Sequence, residues 1–363
     1  MFSRSGAPAL SPIDLQAGDA HVRLLAMTAM ATVAVVFGFR ECAAQQLNWI
    51  RQEAFGVPDL GAFAHGIATD GAGSIYTAGS FSEGVSAGPG TSAVPAEAFL
   101  ARYNPSGDLL WSETLGIPAY QESFNAVTVD SSGSVIVAGN TRGDLLDENR
   151  GTTDLVGAKY HPNGVREWAR QLGASGADWG RGITTDSLGN IFVAGTTQGF
   201  DSPGLGGTHI DDGWDAYVAK LDIAGNVQSI EQFGGARWNE SNSIATDAMG
   251  NVYITGNEAD ESLSNSAIFV RKMDSDGALI WSTTIDTESQ DDGEAIAIDS
   301  DGSVFVGGET LGAIADDSNL GGRDAFLQRY DADGNLLWST QFGTEGADSL
   351  RGVAVDDQGR VFV

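Results

Sequence analysis

Apolar and polar side chains alternate along most of this chain in short runs, separated by Asp/Asn-x-x-Gly turns, which is the period-two signature of half-buried β-strands. Two patterns recur. The first reads apolar-x-[VIT]-Asp-x-x-Gly-x-apolar-aromatic/apolar-[VTI]-[AGT]-Gly, with copies at Asp70, Asp130, Asp186, Asp247 and Asp299 and a last copy at Asp356 that runs to Val363. The second reads aromatic/apolar-x-x-[KR]-[YLM]-x-x-x-Gly, then tryptophan four residues after that glycine. Its copies end at Trp111, Trp168, Trp281 and Trp338; Ser229 holds that place in a fifth, and Trp49 looks like a leading orphan.

Each pattern predicts a β-hairpin, because Asp or Asn opens the turn and glycine takes the position with unusual φ. Two hairpins make a four-stranded sheet that cannot cover both of its faces. Such sheets must lean on neighbours like themselves, with a large side chain such as the repeated tryptophan between them. The predicted fold is all-β: a β-propeller of four-stranded antiparallel blades, about six of them present, the last incomplete. The spacings agree. The repeat Asp and the strand-ending glycine are separated identically in five copies (70 to 79, 130 to 139, 186 to 195, 247 to 256, 299 to 308), whereas the link from that glycine to the next hairpin varies. Variable length in one connection places it on the binding face, because the remaining geometry is needed for packing.

The N-terminal part reads differently. Leu24 to Phe39 is an apolar run followed by Arg40, Glu41 and Cys42-Ala43-Ala44-Gln45, which suits a signal peptide cut after Ala44, with an uncleaved N-terminal anchor as the alternative. The expected organisation is a leader over 1–44 and a propeller over 45–363 that is truncated at its C-terminus. Cys42 is the sole cysteine, so a processed chain would hold no disulfide and no thiolate. With 19 Lys and Arg against 49 Asp and Glu, the formal charge is −30. That field repels phosphate backbones and argues against nucleic acid as a partner.

These repeats resemble the bacterial β-propeller repeat family often called seven-bladed propeller repeats (SBBP), whose units read like DAFVAKY-x-x-x-G-x-LLWS followed by GIAVD-x-x-GNVYVAG. The resemblance runs from about Gln45 to Val363, with departures at Ser229 and at Ala267, where the family has Asp. It implies the propeller fold and a secreted or cell-surface setting, and it brings no shared enzymatic activity. The function expected is therefore an exported, non-catalytic binding or surface scaffold, monomeric, with a protein or glycan partner and membrane contact only through an uncleaved anchor. The alternative is an enzyme on the same scaffold: a quinoprotein-like dehydrogenase, a lyase or a glycosidase.

Several residues are candidates for chemistry. Glu122, Asp178, Asn239, Asp291 and Asp348 stand eight residues before the repeat Asp, on the blade-to-blade loop. They read either as a ligand-binding ring at one mouth or as acceptors that cap the next strand's free N–H groups. The pairs Asp274/Asp276, Asp299/Asp301 and Asp331/Asp333 are similar to calcium loops but lack the other oxygen ligands of one, so an ordinary turn suffices and calcium is a minor reading. Glu97, Asp154, Asp215 and Asp324, each five residues before Arg102, Lys159, Lys220 or Arg329, read as structural ion pairs. His65, His161 and His209 fall at unrelated repeat positions, and no catalytic residue or required cofactor is predicted.

Overall fold

The computed structural model describes residues 62–82, 96–117, 120–198, 213–234, 238–259, 265–314 and 319–363. The leader, Cys42, Trp49 and His209 lie outside them.

Five four-stranded antiparallel meanders follow one another: blade 1 over 62–115, blade 2 over 122–172, blade 3 over 178–233, blade 4 over 239–285 and blade 5 over 291–342. A two-stranded hairpin, Ala354–Val355 with Val361–Phe362, starts a sixth unit. The architecture is the all-β propeller that the repeats predict. First strands (Ala62–Thr69, Glu122–Val129, Asp178–Thr185, Asn239–Thr246, Asp291–Ile298) lie side by side around a central cavity. Fourth strands form the exposed rim, as in Leu279–Ile285 and Leu336–Phe342.

The core lies between blades. Tyr76, Ala78 and Leu100 of blade 1 pack on Phe124, Val137 and Val156 of blade 2, and Phe192, Ala194 and Val218 of blade 3 pack on Ile244, Ile254 and Phe269 of blade 4. Second strands such as Ile191–Thr197 and Val304–Thr310 are buried along their whole length. Sheets sandwiched this way lose the polar alternation that a one-sided sheet would show.

The repeat tryptophan joins consecutive blades through its polar edge as well as its area. The indole Nε1 of Trp111, Trp168 and Trp281 donates to the carbonyl of Pro162, Ile223 and Ala332, at 2.9, 3.0 and 3.1 Å. Each acceptor is the second residue of the next blade's second-hairpin turn. The turn glycine then lies flat on the indole: a Cβ at Gly164, Gly225 or Gly334 would come within 3.0 Å or less of the Trp111, Trp168 or Trp281 ring. The repeat Lys or Arg helps the same staple, since Arg102 Nη1 donates to Pro162 O at 2.6 Å and Lys272 Nζ to Ala332 O at 3.1 Å. Where Ser229 replaces tryptophan, Lys220 Nζ reaches the turn at Ser275 O (2.6 Å) and the Glu231 side chain lies against Gly277. A small hollow remains there among Lys220, Ser229, Glu231 and Gly277.

The repeat Asp is a turn residue in every copy. Oδ1 of Asp70, Asp130, Asp186, Asp247, Asp299 and Asp356 accepts the backbone N–H groups two and four residues on, at 2.8 to 3.0 Å. In three copies it also receives the basic residue of the third strand: Arg102 pairs with Asp70 (3.3 Å), Lys159 with Asp130 (3.1 Å) and Arg329 with Asp299 (3.4 Å), whereas Lys220 reaches Asp276 (3.5 Å). This corrects the expected pairing of those bases with Glu97, Asp154 and Asp324. An offset of five in an extended strand puts the two side chains on opposite faces and roughly 16 Å apart.

Candidate functional site

The first strands carry an irregularity at one repeat position. A single extra residue interrupts the ladder in every blade: His65, Asn125, Arg181, Asn242 and Glu294, each five residues before the repeat Asp. A β-bulge leaves that residue unpaired and re-aims its side chain. All five line a cavity of about 630 Å³ on the propeller axis, joined by Arg351, which stands five residues before Asp356. The bulge also accounts for the glycine that closes the motif. A Cβ on Gly79, Gly139, Gly195, Gly256 or Gly308 would fall 1.8 to 1.9 Å from a first-strand carbonyl oxygen, so no other residue fits opposite the bulge.

Within the cavity, Asn125 Nδ2 donates to Gly180 O of the next blade (2.8 Å) and Asn242 Nδ2 to Gly293 O (2.9 Å). Arg181 Nη2 donates to Glu240 Oε1 at 3.0 Å, and Arg351 Nη1 to Glu294 Oε1 at 2.5 Å. Burial raises the Glu294 carboxyl above its ordinary range against the opposing pull of Arg351. His65 Nε2 is 3.3 Å from Ser80 Oγ and is exposed. The lining therefore offers donors and acceptors of both signs around one open cavity.

The connection between strands two and three and the blade-to-blade connection meet on one face. Parallel bridges join their ends at Ala96 with Gln121, Thr153 with Ala177, Trp214 with Trp238 and Ser266 with Gln290. At the third of these junctions three indoles pack together at a tilt: Trp179 and Trp214 have ring centroids 5.0 Å apart, and Trp214 and Trp238 5.5 Å apart. The Arg181 guanidinium lies 5.2 Å from the Trp179 ring centroid, and Trp238 Nε1 donates to Glu240 Oε1 at 2.7 Å. Trp179 and Arg181 also line the axial cavity, so the first of the three indoles connects the cluster to it.

Four of the five residues expected at the mouth sit beneath this surface, and Asp348 is half-buried. Glu122, Asp178, Asn239 and Asp291 are buried. Asp178 Oδ1 accepts the Thr197 hydroxyl (2.5 Å) and Oδ2 the Ala174 N–H (2.7 Å). Asp291 repeats the pattern with Thr310 and Thr287, and Glu122 accepts the Thr141 hydroxyl at 3.0 Å. Asn239 Nδ2 donates to Trp214 O (3.3 Å), and Asp348 Oδ2 accepts the Thr344 N–H (2.6 Å). Burial pushes Asp178 up to about 6 and raises Glu122 and Asp291 in the same direction. In the calcium-like pairs, Asp274 and Asp331 use Oδ1 to accept turn N–H groups, while Asp276, Asp301 and Asp333 point to solvent. The buried Asp154 and Asp324 accept Nε2 of Gln171 and Gln341, both at 2.9 Å, and Asp215 accepts Nε2 of Gln232.

Comparison with known proteins places the repeat. Residues 167–201, from the last strand of blade 2 through the first hairpin of blade 3, match SBBP, the beta-propeller repeat. Regulatory protein FlaEY of Caulobacter vibrioides is 26% identical over 303 residues, spanning 71% of this chain and 31% of that protein. An uncharacterized WD repeat-containing protein of Acanthamoeba polyphaga mimivirus is 21% identical, spanning 74% of this chain and 26% of that protein. The chain thus spans about a third or less of the length of both relatives. Among solved structures, Sqt1 from Chaetomium thermophilum aligns with a TM-score of 0.42 at 13% identity, over 80% of this chain and 74% of its own. The polysaccharide lyase Uly1 aligns with a TM-score of 0.43 at 13% identity, over 74% of this chain and 57% of its own.

Proposed function

From a chain built on the SBBP beta-propeller repeat, we propose an exported, non-catalytic binding propeller that takes its ligand at the axial cavity, entered from the face where the variable connections meet. One observation carries this reading. The turns, glycines and tryptophans recur from blade to blade because the scaffold needs them, yet the bulge position changes from His65 to Asn125, Arg181, Asn242, Glu294 and Arg351. It stays polar throughout and turns into one cavity of about 630 Å³. Side chains that differ where the backbone is held the same, converging on an open cavity of ligand size, fit recognition better than packing.

Export is supported by the apolar run over residues 24–39 and the small residues that follow it. A net charge of −30 favours a partner without phosphate groups. The test is thermal melting of the intact protein against a library of small polar metabolites and oligosaccharides. Hits are expected to raise Tm for the wild type and to do so less for His65→Ala and Arg351→Ala, two cavity residues that are exposed. Hits that shift all three proteins equally would place binding elsewhere.

A further inference from the structure

We propose that the Trp179–Trp214–Trp238 column is a subsite for a neutral sugar chain, which rests on the binding role proposed for the axial cavity and names its ligand class. The scaffold does not need these indoles. Trp111, Trp168, Trp281 and Trp338 occupy the repeat position, whereas Trp179, Trp214 and Trp238 occupy places that other blades fill differently. Sister residues of Trp179 are Phe63, Ser123, Glu240 and Asp292; those of Trp214 are Ala96, Thr153, Ser266 and Arg323; those of Trp238 are Gln121, Ala177 and Gln290. Small or polar residues close the same junctions elsewhere, with the same parallel bridge at Ala96–Gln121, Thr153–Ala177 and Ser266–Gln290. Three departures from three different segments converge on one corner, 5.0 and 5.5 Å apart. Trp238 at its end remains 40% exposed, which leaves its ring open to a ligand.

Charge selects the ligand. Glu240 is held between Arg181 Nη2 (3.0 Å) and Trp238 Nε1 (2.7 Å), so acid and base cancel beside the column. Arg181 already lies over the Trp179 ring at 5.2 Å, so stacking falls to the exposed ring of Trp238, beside an acid–base pair without net charge. An anionic ligand would meet the repulsion of a chain carrying −30. What remains is an uncharged molecule with a flat apolar face to stack on indole and a rim of hydroxyls for Arg181, Glu240 and the asparagines of the cavity. A pyranose ring has that form: its axial C–H groups meet the negative face of the indole.

Calorimetric titration of the intact protein with cellohexaose, laminarihexaose, maltohexaose and chitohexaose tests this, with polygalacturonate as the anionic probe and choline as the cationic one. At least one neutral hexamer should bind and quench tryptophan fluorescence. Trp238→Ala should weaken it tenfold or more, and Trp338→Ala, equally exposed on the rim, should leave it unchanged. Binding of no neutral hexamer, equal binding by Trp238→Ala, or binding of polygalacturonate or choline alone would overturn the assignment. The cavity reading is judged separately: if the hexamers fail while a library ligand still loses its Tm shift in His65→Ala, only the sugar assignment falls.

Discussion

Asp178 offers a sharp test of the blade junctions, because Asn239 fills the same repeat position in the next blade and so supplies the substitution Asp178→Asn. The carboxyl is fully buried. Burial pushes it up to about 6, against the hydrogen bonds from Thr197 and Ala174 and with a smaller push from Asp154. A folded carboxyl that keeps its proton to about pH 6, against about 4 when unfolded, binds more protons folded than unfolded between those values. Stability from this group therefore falls as pH rises through that window. Two pH units at about 1.4 kcal/mol each amount to roughly 3 kcal/mol between pH 4 and pH 7. The amide carries no such charge. Its oxygen still accepts from Ala174, and the Thr197 hydroxyl turns to accept from its nitrogen. Urea unfolding at pH 4, 5.5 and 7 is expected to show Asp178→Asn near or below the wild type at pH 4 and gaining on it by roughly 3 kcal/mol at pH 7. A constant difference across that range, or a deficit that grows with pH, would refute the argument.

Other outcomes follow from the same geometry. Burial also pushes Asp70, Asp130 and Asp247 upward, but the hydrogen bonds of their turns outweigh it and hold them below the ordinary range. Their contribution is lost as pH falls below about 4, so wild-type stability should peak between the two regimes, near pH 4 to 5 by thermal melting. Trp168→Phe should cost about 1 kcal/mol for the lost bond to Ile223 O, and Trp168→Ala about 3–5 kcal/mol, by denaturant unfolding. Ser229→Trp should stabilise by about 1 kcal/mol by filling the hollow and reaching Ser275 O, provided Glu231 leaves the Gly277 turn; destabilisation would show the hollow to be closed to an indole. Gly139→Ala should destabilise by 3 kcal/mol or more, since its Cβ would overlap Ser123 O.

The blades were legible because hairpin turns and strand alternation are local, so Asp-x-x-Gly spacing and tryptophan position are written within a few residues of where they act. The bulge was written there too, in the invariant glycine across from it. Yet that glycine reads from sequence as a strand end, and only pairing across the hairpin shows a carbonyl pressed against it. The partners of Arg102, Lys159 and Arg329 are hidden for a related reason: sequence proximity points to the acid five residues away, while the sheet brings the turn Asp to the base. Blades 2, 3 and 5 place Asp154, Asp215 and Asp324 against Gln171, Gln232 and Gln341, whereas blades 1 and 4, with Glu97 and Ala267, carry Thr114 and Thr284 in the glutamine's place. The tryptophan column was the least visible, because Trp179, Trp214 and Trp238 come from three segments and obey no repeat.

The central claim, that recognition occurs on the axis, is tested most directly by plugging the cavity. His65→Trp puts an indole at its edge, and Leu188→Trp puts one on the exposed turn of the opposite face, at a residue already 84% exposed. Binding of a ligand identified by melting should fall at least tenfold in His65→Trp and remain unchanged in Leu188→Trp, with both variants melting cooperatively. Undiminished binding by His65→Trp would contradict the account.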